Sequence, residues 1–296
     1  RLRAGSGADA GRLFGRGTAD MKGFVAAAVA TALEAARRPL RTPLHLALSY
    51  DEEIGCIGVR SLIDLLAARS PRPALCIVGE PTAMRIATGH KGKTGLRACC
   101  TGRAGHSALA PNALNALHIG ADFLQALRRR QEAIARDGAR DPAYDIPYTT
   151  LHAGIMQGGQ ALNIVPGRCE IDFEIRNIAG DDPRAILDEI RADAEAIVAP
   201  LRPRFPEAAI EITTSPNTYP GLETPEDAAI VQLLRRVTQS NDPTCKVAFG
   251  TEGGLFHDRL GIATAICGPG DMAQGHRPDE YVTTDQLAAC DAMLSR

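Results

Sequence analysis

The rhythm of apolar and polar positions changes twice along the chain. Over residues 1–92, short apolar runs alternate with amphipathic stretches. Gly17-Thr18-Ala19-Asp20 leads into an Ala-rich stretch, Met21 to Ala36, that predicts a helix. Pro43 to Tyr50 predicts a short apolar strand, Ile57 to Ala68 an amphipathic helix, and Ala74 to Gly79 a buried strand ending in Glu80-Pro81. Strands alternating with helices imply a mostly parallel sheet covered by helices.

From Lys93 to Ile212 the order becomes β-α-β-β-α-β. Its parts are strand Gly95 to Thr101, helix Asn112 to Arg136, strands Thr149 to Met156 and Arg168 to Arg176, helix Pro183 to Val198 and strand Ala209 to Thr213. That is the split arrangement of a ferredoxin-like sandwich. From residue 213 onward the first rhythm resumes, with a helix after Thr224, strands Lys246 to Phe249 and Ile262 to Cys267, and a final helix. The expected fold is therefore an α/β domain built from segments 1–92 and 213–296, with an α+β domain, 93–212, inserted between them. Arg128-Arg129-Arg130 reads as a solvated helix face.

Composition narrows the function classes. With 296 residues, 45% of them hydrophobic, the chain can bury a core without staples. Lys+Arg 33 against Asp+Glu 35 gives a net charge of -2, which excludes a strong polyanion binder such as a nucleic-acid protein. Trp is absent, so stacking platforms for bases are scarce. No apolar run reaches the ~18 residues of a membrane span. The 8 cysteines form no CxxC pair and several sit in apolar runs, which suits buried thiols in a reducing cytoplasm.

The acidic residues carry the chemistry. Asp20 lies at a Gly-rich corner, Asp51-Glu52-Glu53 directly follow the strand ending at Tyr50, and Glu80 ends the next strand. His276 lies in a loop beyond Gly268-Pro269-Gly270. Sites of open α/β sheets form outside the carboxyl ends of strands, where all four positions fall. Any one of them alone reads as a cap or turn residue. Converging carboxylates without basic neighbours need protons or cations, and carboxylate oxygen with imidazole nitrogen suits Zn²⁺, Co²⁺ or Mn²⁺. Of two neighbouring glutamates, one can ligate while the other takes a proton from an attacking water.

Six stretches carry a resemblance. They are Gly15-Arg16-Gly17-Thr18-Ala19-Asp20-Met21-Lys22-Gly23, Asp51-Glu52-Glu53-Ile54-Gly55-Cys56, Gly79-Glu80-Pro81-Thr82, Gly105-His106-Ser107-Ala108, Asn163-Ile164-Val165-Pro166 and Gly275-His276-Arg277-Pro278-Asp279-Glu280-Tyr281. In this order they resemble the dinuclear-zinc amidohydrolases and peptidases, the family of acetylornithine deacetylase, succinyl-diaminopimelate desuccinylase and glutamate carboxypeptidase. Phe249-Gly250-Thr251-Glu252-Gly253-Gly254 most resembles the acetylornithine deacetylases. The resemblance implies a zinc-peptidase-like catalytic domain and a dimerising inserted domain. It implies that Asp20 bridges two metals, Glu53 and His276 hold one, Glu80 holds the other, and Glu52 is the general base. His106 would stabilise the oxyanion across a homodimer interface, with the strand Gly95 to Thr101 and the helix Asn112 to Arg136 offering the edge and face. Asn163 and Arg176 would bind the substrate's α-carboxylate; from the residues alone, both read as a turn and a surface strand position. The peptide after Asp20 would be cis.

The expected activity is removal of acetyl from N2-acetylornithine, giving ornithine and acetate, as in arginine biosynthesis. Other N-acyl amino acid deacylases and carboxypeptidases of the family are the alternatives. One departure matters. The family's His-x-Asp motif, upstream of the bridging Asp, has no counterpart here, and all seven histidines (45, 90, 106, 118, 152, 257 and 276) lie downstream of Asp20. The sequence looks like a member without its N-terminal part. The expectation is at most one tightly bound Zn²⁺ or Co²⁺ where complete members hold two, with lowered activity. An inactive dimerisation or binding module is the second alternative.

A rival class comes from Ala87-Thr88-Gly89-His90-Lys91-Gly92-Lys93-Thr94, which nearly fits the phosphate-binding loop of NTPases. Such a loop must open a helix, whereas Gly95 to Thr101 reads as a strand.

Overall fold

The computed structural model describes residues 2–296. By its internal contacts the chain divides into two compact units, residues 1–90 with 220–296, and residues 91–219. In chain order the first unit begins with β1 (Arg3–Ala4), β2 (Arg12–Phe14), α1 (Gly23–Ala35), α2 (Val59–Ala67), β3 (Leu75–Val78) and β4 (Ala87–His90). The second unit comprises β5 (Gly92–Thr101), β6 (Gly105–His106), α3 (Ala116–Asp137), β7 (Thr150–Gly158), β8 (Ile164–Val165), β9 (Arg168–Asn177), α4 (Pro183–Val198) and β10 (Ala209–Tyr219). The first unit then resumes with β11 (Leu222–Glu223), α5 (Ala229–Thr238), β12 (Cys245–Val247), α6 (Gly253–Leu260), β13 (Ala263–Ile266), β14 (Tyr281–Thr283) and α7 (Thr284–Ser295).

In the first unit the main sheet runs β11-β4-β13-β3, with β12 also on β4. It is mixed: β3–β13 and β4–β12 are parallel, β4–β11 and β4–β13 antiparallel. Phe24 and Ala27 of α1, Ile230, Val231 and Leu234 of α5, and Cys290 and Met293 of α7 form one core with Ala265 and Cys267. Each fully buried large aliphatic contributes about 1.5–3 kcal/mol over an exposed one. Gly79 is the contact that fixes α1 against the end of β3. A Cβ there would lie 2.0 Å from the Phe24 ring, so only glycine lets the helix approach. A small sheet, β1-β2-β14, closes the unit, pairing Phe14 with Tyr281.

The second unit is a four-stranded antiparallel sheet in the order β10-β5-β9-β7. Period-two alternation sends Leu96, Ala98 and Cys100 of β5 and Cys169, Ile171, Phe173 and Ile175 of β9 to one face. There they meet Ile119, Phe123 and Leu127 of α3 and Leu187, Ile190 and Val198 of α4. Phe123 and Phe173 pack edge to face at 5.6 Å. Asp182 caps α4 by accepting from the Arg184 N–H at 2.9 Å, with Pro183 at the first turn.

Four expectations are corrected here. Residues 43–50 form no strand. Leu44, Leu46, Leu48 and Tyr50 are exposed, and no described strand pairs with them, because an apolar run becomes a strand only beside a hydrogen-bonding edge. Residues 87–94 fall in β4 and β5, both extended, so no phosphate-binding loop or following helix exists there, and the NTPase reading fails. The strand containing Gly95 to Thr101 is interior, with β10 and β9 on its two sides, so the sheet's edges are β7 and β10. Arg130 is not purely solvated: it bonds Asp193 at 2.6 Å and pairs with Glu189, both on α4.

Candidate metal centre

Asp20 sits in a helical turn, Thr18–Lys22, that runs directly into α1. Its own backbone is non-helical (φ -119, ψ 90), and the Asp20–Met21 peptide is cis. Because Phe24 packs on Gly79, this turn is held near Glu80 at the end of β3. Glu52 and Glu53 lie in a tight turn in which the Glu52 carbonyl accepts from Gly55 and Cys56 N–H at 2.9 and 2.8 Å. His276 follows Gly275 and adopts a left-handed conformation, φ 57.

These segments bring three ligand types together. His276 Nε2 lies 2.9 Å from Asp20 Oδ2 and 3.1 Å from Glu53 Oε2. Ligand atoms of Asp20, Glu53 and His276 all lie within 4.8 Å of one another. The two glutamates part company: Glu53 meets His276, whereas Glu52 Oε1 accepts from Cys56 Sγ at 3.4 Å. Burial, followed by the charges of Glu53, Glu252 and Asp20, pushes the Glu52 carboxyl up to about 7 despite that bond. Glu80, 4% exposed, is raised well above the usual carboxylate range by burial and then by Asp20, Glu52 and Glu252.

Glu252, at the start of α6, joins this group. Burial raises its carboxyl although Ser49 Oγ donates to Oε2 at 2.8 Å, and Oε1 is buried with no hydrogen-bond partner. Asp20 and Glu53 pair with the His276 imidazole, and the charges felt by Glu52 and Glu80 are those of neighbouring carboxylates. Two carboxylate oxygens and an imidazole nitrogen within reach of one cation, beside uncompensated acids and an orphaned buried oxygen, fit a divalent metal such as zinc.

The other predicted residues lie in the second unit. His106 on β6 pairs with Ile164 of β8, and the Asn163 carbonyl accepts from the Ser107 N–H at 2.9 Å, so one short ribbon carries both His106 and Asn163. His106 Nδ1 accepts from the Ala108 N–H at 3.1 Å, leaving Nε2 for other work. Arg176 stands elsewhere, on β9, donating to Glu174 Oε1 at 2.8 Å and to the Tyr219 hydroxyl at 2.9 Å. The group within 4.8 Å includes none of His45, His257 and His90 among the described residues, and His90 is buried in β4 with Nε2 accepting from the Gly254 N–H at 3.1 Å.

Sequence reasoning gave no role to Glu252 or Glu280. Glu252 stood in a quoted stretch, but an acid before a short helix reads as a cap. Glu280 stood in the His276 stretch, where nothing local marks it apart from the neighbouring Asp279.

The peptidase family M20/M25/M40 model matches residues 4–296. Acetylornithine deacetylase of Myxococcus xanthus is 34% identical over 286 residues, 97% of this chain and 72% of that one. The acetylornithine deacetylase of Edwardsiella ictaluri is 30% identical, over 96% of this chain and 71% of its own. Among solved structures, aminopeptidase PepT from Bacillus cereus superposes with a TM-score of 0.74 at 16% identity, over 99% of this chain and 74% of its own. Human carnosine dipeptidase 1 gives 0.67 at 13% identity, over 96% and 73%. Those two share the fold, a zinc-peptidase-like α/β architecture. The metal-ligand cluster and the sequence likeness agree on a metal-dependent amidohydrolase. The chain belongs to the peptidase family M20/M25/M40.

Proposed function

We propose that the substrate is an N-acyl amino acid, N2-acetylornithine before others, cleaved to ornithine and acetate. The observation that carries this reading is the 34% identity, across 97% of the chain, to a relative named acetylornithine deacetylase, joined to the Asp20–Glu53–His276 cluster. Other N-acyl amino acids are the second choice.

Asp20, Glu53 and His276 would hold one Zn²⁺ or Co²⁺, and Asp20 with Glu80 a weaker second. Bound there, the ion supplies Lewis acidity that polarises the amide carbonyl and acidifies water. Glu52, with its carboxyl near neutrality, is the general base: it takes a proton from the attacking water and returns it to the leaving amine. His106 stabilises the oxyanion, acting on the partner protomer's site in a homodimer. Asn163 and Arg176 bind the α-carboxylate. For Arg176 this requires a share of its guanidinium beyond what Glu174 and Tyr219 use. The dimer would form through the second unit, where the edge strand β7 exposes Ile155 and Met156. Eight free thiols suit a reducing cytoplasm. No described helix is long and apolar enough to cross a membrane.

Turnover of N2-acetylornithine and of a panel of N-acyl amino acids, with and without added Zn²⁺ or Co²⁺, tests the reading. Metal-dependent turnover favouring N2-acetylornithine is expected. No turnover of any substrate at any metal concentration would leave a binding or dimerisation module instead. Mixing His106→Ala with Glu52→Gln chains restores part of the activity if His106 acts across the interface. No restoration, in a mixture proven to exchange subunits, removes that claim.

A further inference from the structure

Glu280 is 3% exposed and lies four residues after His276. Its Oε2 accepts from the Gly17 N–H at 2.9 Å and from the Arg16 guanidinium at 3.1 Å. Its Oε1 accepts from the Ala19 N–H at 2.9 Å and the Asp20 N–H at 3.1 Å. An ionised carboxylate offers about four lone-pair sites, and all are used, so Glu280 is not itself a metal ligand. The Glu280 carbonyl also accepts from the Gly15 N–H at 2.9 Å, which carries the β2–β14 pairing up to the turn.

Three of the four donors are backbone N–H groups of the turn that begins α1, groups that have no partner inside the helix. A buried anion satisfies them and suits the positive end of the helix. That alone would make Glu280 a cap. The placement does more, because one of the donors is the Asp20 N–H itself. Besides this carboxylate, the two segments are tied by the Gly15 N–H to the Glu280 carbonyl at 2.9 Å, the Arg16 guanidinium to the Arg277 carbonyl at 3.2 Å and the His276–Asp20 side-chain contact at 2.9 Å, and only the last of these reaches residues 17–20 among the described residues. Gly17, at φ 80, turns its N–H toward Glu280, a conformation that a side chain would oppose.

We propose that Glu280 is a positioning residue that sets the spacing of Asp20 and His276, by fixing the backbone of one and the loop of the other to a single carboxylate. The assignment rests on the reading of Asp20, Glu53 and His276 as metal ligands. Supporting partners of metal ligands cost on the order of 10–100-fold in metal affinity when replaced.

The test is Zn²⁺ affinity of the full chain, measured by competition with a chromophoric chelator, alongside circular dichroism and melting of the metal-free protein. Glu280→Gln keeps the shape but exchanges an acceptor for an amide donor facing N–H groups. It should weaken Zn²⁺ binding on the order of 10–100-fold with a native spectrum. Glu280→Asp keeps the charge one methylene short of the turn and should fall between Glu280→Gln and the natural protein. Ile230→Val, in the core of the same unit, lowers the melting temperature without changing Zn²⁺ affinity. If Glu280→Gln does not fold, Glu280→Asp against Ile230→Val decides by the same readout. Unchanged Zn²⁺ affinity in the Glu280 variants, or an equal loss in Ile230→Val, overturns the assignment. A natural protein that holds no Zn²⁺ in this competition overturns the metal reading first, and this assignment with it.

Discussion

Both units gather carboxylates, and they treat them in opposite ways. On the open face of the second unit's sheet, Arg97 grips Asp172 at 2.6 and 2.8 Å, Arg168 meets Glu170 at 2.6 Å, and Arg176 and Lys93 share Glu174 at 2.8 and 3.4 Å. The Arg97 bonds hold Asp172 below the usual carboxylate range. Burial alone would raise Glu174, yet Arg176 and Lys93 bring it down. In the first unit, Asp20 and Glu53 meet the His276 imidazole, Glu52 and Glu252 accept from the neutral Cys56 thiol and Ser49 hydroxyl, and Glu52, Glu80 and Glu252 are raised. Carboxylates paired in cis complete a surface, while carboxylates left unpaired in a partly buried cluster ask for a cation from outside.

The largest expected effect separates base from ligand inside the acidic cluster. Glu52→Gln should retain bound metal yet lose about 10²–10⁴-fold in kcat, as removal of a general base does. If metal leaves instead, and turnover per bound metal survives, the roles of Glu52 and Glu53 are exchanged. Next comes stoichiometry. Three ligands including the imidazole support one tight ion, whereas Asp20 and Glu80 alone bind weakly. Elemental analysis after dialysis should find no more than about one Zn²⁺ per chain. Two retained ions would bring Glu252, or a histidine now engaged elsewhere, into the ligand set.

A third, smaller effect is a pH dependence of the metal-free protein. Glu52 binds its proton more tightly folded than unfolded, because its carboxyl rises from 4.5 to about 7. Stability from this group is complete below about pH 4.5 and falls as pH rises toward about 7. Glu80 acts in the same direction. Melting curves of the metal-free chain should therefore drift downward over that window, and less so in Glu52→Gln. Saturating Zn²⁺ should abolish the drift; an undiminished drift in Glu52→Gln assigns it to other groups. The smallest effect belongs to the second unit. Asp172→Asn removes an exposed pair and should change neither Zn²⁺ affinity nor melting by much. A marked loss of Zn²⁺ affinity in this variant would erase the contrast between the units.

Much of this was legible in the sequence because periodicity and caps are local. Pro183–Val198 was legible from its apolar stripe, and the β-α-β-β-α-β order followed from such local signals. Residues 43–50 were misread because a strand depends on its neighbour, which a local pattern does not contain. Strand β4 was hidden by Gly89 and His90, and α6 by Gly253 and Gly254, residues that local propensity assigns to turns. At the site, the acids at strand ends could be named from their positions. The work of Glu280 could not, since its partners at 16–20 lie more than 250 residues away.

The same separation orders events in time. The second unit is contiguous, so all of its strands and helices have been synthesised once Tyr219 emerges from the ribosome. The first unit must wait for the last stretch, Pro220 to Arg296. Until then Asp20 and Glu80 have no His276, and the turn before α1 has no Glu280 to accept its N–H groups. A nascent chain thus carries a complete sandwich beside an incomplete acidic unit in its sequence order, and it gains its three-ligand site only when residues 220–296 fold back onto residues 1–90.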